Sequence, residues 1–277
     1  MRTKQYRAAQ PLVRRLRSPR WAGPCACCYE QRFDRLRLSW VQVGDGPPLV
    51  LFHGYGGNSR WWARNLAPLA SRYTVYALDL PDFGASRMAG RYTFRRTIDG
   101  IATWIEAQHL GPAAIVGHSM GGHLALLLAA RHPVHVRALV LIAPSGLPLE
   151  RTLLGLARDA FLSRAAGDMR FTPIVVGGVL RADPRALWQA VREIQRIDVR
   201  PHLADLAVPT LILWGDQDRL LPVANARVLS AAIPGAQVRI VQGGTHNIFF
   251  DQADLMNEAI VGFLGTPASD AGSQAGQ

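Results

Sequence analysis

The chain has 277 residues, 49% of them hydrophobic and 18% charged, which is enough for one sizeable core and excludes a small disulfide-stapled domain. No apolar run reaches the roughly 18 residues of a membrane-spanning helix. The formal net charge of +11 is unevenly placed, with seven of the eleven charges in the first twenty residues.

Residues 1–31 read as a basic N-terminal extension. Its first twenty residues carry Arg2, Lys4, Arg7, Arg14, Arg15, Arg17 and Arg20 and no acid. Arg14, Arg15 and Arg17 also break the apolar segment a secretory signal needs, so a cytoplasmic protein is expected. A solvated arm is the plain reading, and weak contact with an anionic membrane surface is the sharper one. No specific nucleic-acid partner is expected, because nothing aromatic or periodic accompanies the charge. Cys25, Cys27 and Cys28 form an odd, tight cluster with no downstream partner pair, which reads as reduced structural thiols and not as a disulfide or zinc site.

From Arg32 the chain alternates strand-like and helix-like segments, the pattern of a mostly parallel sheet with helices on both faces. The expected strands are Leu36–Val43, Leu49–Phe52, Thr74–Leu78, Ala113–Val116, Leu139–Ile142, Thr210–Trp214 and Val238–Val241. Helices are expected from Asn58, as N-cap, to about Ala70, then over Thr97–His109, Ser119–Arg131, Ala224–Ala232 and Asp251–Leu264. Residues 146–207 break the alternation and read as a helical insertion, best over Leu153–Phe161 and Ala186–Ile197. The core is therefore expected over 32–145 and 208–264, with 265–277 as a flexible tail. An insertion at the carboxyl ends of the strands lies over the place where such sheets bind ligands.

Gly117-His118-Ser119-Met120-Gly121 is a G-x-S-x-G sequence between an apolar strand and a helix. With 26 glycines and 11 serines in the chain, chance supplies about 0.1 such motifs, so the strand–turn–helix context carries the assignment. The small residues are required because the serine sits on a sharp, strained turn. A serine hydroxyl needs a base. Among the downstream histidines, His202 falls in the insertion, whereas His246 follows a core strand through Gly243-Gly244-Thr245 and is the expected base. The orienting acid is expected in the exit loop of Thr210–Trp214, where Asp216 and Asp218 compete. The N–H groups of Met120 and of Tyr55, in the glycine-rich stretch His53-Gly54-Tyr55-Gly56-Gly57, are the expected oxyanion donors.

Five stretches in order carry a resemblance. They are His53 to Gly57, Asp79-Leu80-Pro81-Asp82-Phe83-Gly84-Ala85-Ser86, Gly117 to Gly122, Gly215-Asp216-Gln217-Asp218 with Pro222, and Thr245-His246-Asn247. Over about Leu36 to Leu264 the chain resembles the α/β-hydrolase superfamily, in its serine-nucleophile branch with a helical cap inserted after strand six. The resemblance implies Ser119 as nucleophile, His246 as base and Asp218 as acid, with Asp216 left as a turn residue that bonds its own backbone. Asp82 departs from the family's usual Gly. The implied activity is esterase- or lipase-like hydrolysis of a small-molecule acyl substrate, without metal or cofactor. The alternatives are carbon–carbon bond hydrolysis of a diketone, weakened by Ile248-Phe249-Phe250 where such enzymes usually carry a Trp, and a hydrolase-like ligand receptor. Gly54, Trp61, His118 and Phe171 are expected at the substrate pocket. Leu153, Leu154, Leu156, Phe161, Ile174 and Val175 read first as insertion and core packing, and Arg170 and Arg181 as solvated arginines before anion contacts.

Overall fold

The computed structural model describes residues 13–23, 25–33, 35–148, 155, 158–159, 162 and 166–265. Most of the expected Leu153–Phe161 helix, with Leu153, Leu154, Leu156 and Phe161, lies outside the described residues, as do the first twelve residues and residues 266–277, whereas Gly155, Arg158 and Asp159 are described and helical. Among the described residues ten strands form one sheet, and no helix is long and apolar enough to cross a membrane.

The strands are β1 (Arg14–Leu16), β2 (Cys27–Phe33), β3 (Leu36–Val43), β4 (Pro48–Phe52), β5 (Thr74–Asp79), β6 (Arg87–Met88), β7 (Ala113–His118), β8 (Val136–Ile142), β9 (Thr210–Gly215) and β10 (Gln237–Val241). Their spatial order is β1-β2-β3-β5-β4-β7-β8-β9-β10, with β6 beside β3. From β5 to β10 every pairing is parallel, whereas β1, β2, β3 and β6 pair antiparallel. The parallel centre is apolar on both faces, as helix-covered strands must be. Leu49 and Leu51 of β4 join one face's cluster, with Trp62, Leu66 and Ile260. Val50 and Phe52 join the other, with Ile101, Ile105 and Leu124.

Helices α1 (Leu66–Ala70), α2 (Phe94–Ala107), α3 (Met120–Arg131), α4 (Thr172–Val179), α5 (Pro184–Arg196), α6 (Arg200–Leu203), α7 (Ala224–Ala232), α8 (Ile248–Asp251) and α9 (Ala253–Gly265) connect and cover the strands. Helix α2 buries Ile98, Ile101, Ala102 and Ile105 on one stripe and is capped by Thr93, whose side chain accepts from Arg96 N–H. Helix α5 starts at Asp183, whose side chain accepts from Arg185 and Ala186 N–H, with Pro184 at its first position.

Two expectations change. The helix expected from Asn58 to Ala70 is instead a 3₁₀ turn, Ser59–Trp62, capped by Asn58, followed by α1. Pro68 is the cause, since proline lacks an N–H and fits only the first turn of a helix. The reading of residues 1–31 as a separate solvated arm is corrected where the chain is described: Arg14–Leu16 and Cys27–Phe33 extend the sheet's antiparallel edge. Helix α4 escapes the pattern because Thr172, Val175, Val176, Gly177 and Gly178 are weak helix formers. It is held by packing, and a Cβ on Gly178 would lie 2.4 Å from Gly56 O. The three cysteines are free thiols, and burial, followed by the Asp79 charge, pushes the Cys28 thiol up to about 11, which keeps it protonated and unreactive.

Candidate active site

Ser119 stands between β7 and α3 with φ 53° and ψ −116°, a left-handed conformation that non-glycine residues rarely adopt. The strain persists because the turn is held on all sides. Ser119 N–H donates to Ile142 O at 2.9 Å, and Ser119 O accepts from His123 and Ser145 N–H, each at 3.1 Å. There is no room for larger residues at the motif's ends. A Cβ on Gly117 would lie 2.5 Å from Gly121 O, and one on Gly121 would lie 2.3 Å from Phe52 O.

His246 lies in the loop after β10, and Asp218 in the loop after the neighbouring parallel strand β9. Their side chains meet, with His246 Nδ1 2.7 Å from Asp218 Oδ2. An ionised carboxylate only accepts, so Nδ1 carries the proton and Nε2 keeps its lone pair. Asp218 Oδ1 accepts from Leu220 and Leu221 N–H at 2.8 and 2.9 Å, and the Asp218 side chain is fully buried. Asp216 does not do what was expected of it. Its Oδ1 is buried without a hydrogen-bond partner, while its N–H donates to Val241 O at 3.2 Å.

The histidine loop is tied to the serine turn through His118. Its Nε2 lies 2.9 Å from His246 O, and the two rings are 4.8 Å apart. Burial, and secondly the neighbouring His246, hold the His118 imidazole well below its ordinary value, so it is neutral and donates from Nε2. Among the described residues the Ser119 hydroxyl makes no hydrogen bond to His246 in this resting geometry. Such bonds are commonly loose before substrate arrives.

The N–H groups of Met120, first residue of α3, and of Tyr55 have no acceptor among the described residues. The Tyr55 loop is braced from below by His53. Its Nδ1 donates to Gly54 O at 2.8 Å, and its Nε2 accepts from Leu80 N–H at 3.0 Å. Both bonds require the neutral ring, and burial pushes the His53 imidazole down to about 4.

Sequence reasoning missed the braces. Asp79 Oδ1 accepts from Ser59 N–H and Oδ2 from Ala85 N–H, both at 2.7 Å. Thr245 Oγ1 donates to Asp251 Oδ2 at 2.5 Å, and Asp251 Oδ1 accepts from Asp168 N–H at 3.0 Å, tying the histidine loop to the insertion. Charged residues inside motif loops were the available signal. At Asp82, where the resemblance leads one to expect Gly, φ is 67°, and the carboxylate settles the turn by accepting from Met88 N–H at 2.6 Å. Aspartate tolerates this region better than most residues.

Of the expected pocket residues, Gly54 and His118 are buried beneath the site, and a Cβ on Gly54 would lie 2.9 Å from His118 Nδ1. Trp61 and Phe171 are packing residues in this geometry. Phe171 is fully buried, stacked on Phe250 at 4.6 Å and edge-on to Trp61 at 5.0 Å, and it fastens the insertion to the core. Arg170 pairs with Asp168 at 2.7 Å. Among the described residues no group of three or more His, Cys, Asp or Glu converges as a metal site.

The chain is similar to known proteins. A pimeloyl-[acyl-carrier protein] methyl ester esterase of Aeromonas hydrophila is 30% identical over 83% of this chain and 100% of its own. A dihydrolipoyllysine-residue acetyltransferase component of an acetoin cleaving system, from Cupriavidus necator, is 33% identical over 84% of this chain and 67% of its own. The crystal structure of a membrane phospholipase A superposes with a TM-score of 0.75 and 27% identity, covering 87% of this chain and 86% of that one. The model of the alpha/beta hydrolase family matches residues 49–259. This match spans most of the chain, and the protein is a hydrolase that belongs to the alpha/beta hydrolase family.

Proposed function

We propose that the protein hydrolyses a carboxylic ester or related acyl substrate through a Ser119 acyl-enzyme. The observation that carries this reading is the buried Asp218–His246 pair, in the loops that follow β9 and β10 of the sheet whose β7 leads into Ser119. Ser119 Oγ attacks the carbonyl carbon as His246 Nε2 takes its proton. Asp218 holds the imidazole in that tautomer and stabilises its positive charge. The carbonyl oxygen becomes negative and accepts from Met120 and Tyr55 N–H. Collapse expels the alcohol, which leaves with the proton from Nε2. Water, deprotonated by the same nitrogen, then releases the acid and restores Ser119. The esterase relative supports an ester over a carbon–carbon bond as the substrate.

The test is hydrolysis of a chain-length series of p-nitrophenyl esters by the wild type and Ser119→Ala, with fluorophosphonate labelling read by mass spectrometry. Turnover and labelling at Ser119, both lost in the variant, are expected. Labelling without ester turnover would transfer the proposal to diketone hydrolysis or to a receptor. The absence of both would end it.

A further inference from the structure

The N-terminal segment borders an open surface cavity of about 450 Å³, which is within the range of small-molecule sites. Three elements remote in sequence bring an arginine to it: Arg17 from the segment, Arg60 after Asn58, and Arg181 after α4. Ser119, Asp218 and His246 are not in its wall.

Several arginines elsewhere on the surface are already neutralised by carboxylates. Arg64 and Arg170 pair with Asp168, Arg200 with Asp198, and Arg131 with Asp99. Among the described residues Arg17, Arg60 and Arg181 form no ion pair, and their one side-chain hydrogen bond runs from Arg181 Nη1 to Gly177 O at 2.9 Å. The single acid in the wall, Asp79, already accepts from two backbone N–H groups. Three cations against one carboxylate leave two positive charges uncompensated. Leu16, Pro19, Trp21 and Val41 add apolar surface.

We propose that this cavity binds a phosphate monoester carrying an apolar group. A dianion matches the uncompensated charge, which a monocarboxylate would only half neutralise. The planar guanidinium fork matches phosphate oxygens in pairs, and Trp21 and Leu16 offer contact to the organic part. The phosphate is either that of a free metabolite or that of a lipid headgroup. Asn58 and Ser59 in its wall directly follow the Tyr55 loop. The proposal does not rest on the ester reading.

The experiment is calorimetric titration of the full chain carrying Ser119→Ala with 1-naphthyl phosphate, with neutral 1-naphthol as the control. Co-sedimentation with phosphatidylcholine vesicles, with and without phosphatidic acid, runs in parallel. Saturable binding of the phosphate, at least tenfold tighter than naphthol, is expected. Arg17→Gln, Arg60→Gln and Arg181→Gln together should weaken it at least tenfold, and the three Arg→Lys changes less. A control with Arg72→Gln, Arg227→Gln and Arg239→Gln removes the same charge elsewhere and should keep the affinity. Binding to the soluble phosphate alone assigns a free metabolite, and recruitment that requires phosphatidic acid assigns a lipid headgroup. Equal binding of naphthol, equal loss in the control, or no binding to either phosphate source would overturn the proposal.

Discussion

The two halves of the sheet solve different problems. At the parallel centre, β4, β7, β8 and β9 are almost wholly buried, and the loops at their ends are fixed by contacts with no spare volume, such as Gly121 against Phe52 O. At the antiparallel edge, β1 and β2 are largely half-buried or exposed, carry arginines, and border a hollow. The centre positions side chains to within fractions of an ångström, because close-packed backbone leaves only one arrangement. The edge supplies charge and surface, for which placement is less exacting. Chemistry should therefore be brittle to change at the centre, and stability should be tolerant of change at the edge.

The largest expected effect is at the elbow. Ser119→Ala should lower ester turnover by about 10⁵-fold with the fold intact, as read by steady-state kinetics beside circular dichroism. Asp218→Asn should cost about 10⁴-fold, because the amide can no longer hold Nδ1 protonated. A loss of kcat with little change in KM would separate this from a packing defect. Gly121→Ala, whose Cβ would sit 2.3 Å from Phe52 O, should destabilise by about 3 kcal/mol in urea unfolding. An unchanged midpoint would show the centre to be more pliant than its close contacts imply.

A smaller effect follows from the buried histidines. Burial lowers His53 to about 4 and His123 to about 3, and holds His118 well below its ordinary value. In the unfolded chain these groups titrate near 6.5, so the unfolded state binds more protons below that pH, and stability falls with pH. The loss should begin near pH 6.5 and continue through about 4 and 3. His123→Asn should flatten the curve of melting temperature against pH between 6.5 and 3. The smallest effect is expected at the edge. Arg32→Ala removes an exposed arginine 4.0 Å from Glu30 and should change stability by less than about 0.5 kcal/mol.

Much of the candidate site was legible because its signals are local. The strand–turn–helix context singled out Ser119, and His246 was identified by lying just past a core strand. Asp218 was separated from Asp216 only by resemblance. Spacing within a four-residue loop does not tell which carboxylate faces inward, whereas the fold buries Asp218 against Leu220 and Leu221 N–H. Helix α4 and the edge strands were not legible. Both have weak local propensity and are held by partners distant in the chain, Gly56 for the one and β3 for the other.

The sequence by itself determined the fold class, the order of the parallel strands and their helices, and the residues at the strand ends, since hydrophobic period and turn chemistry are properties of neighbouring residues. Only the tertiary structure decided which loops meet. It joined Asp218 to His246, placed His53 beneath the Tyr55 loop, and gathered Arg17, Arg60 and Arg181 around one cavity. Those juxtapositions depend on packing between segments far apart in the chain, which no local pattern encodes.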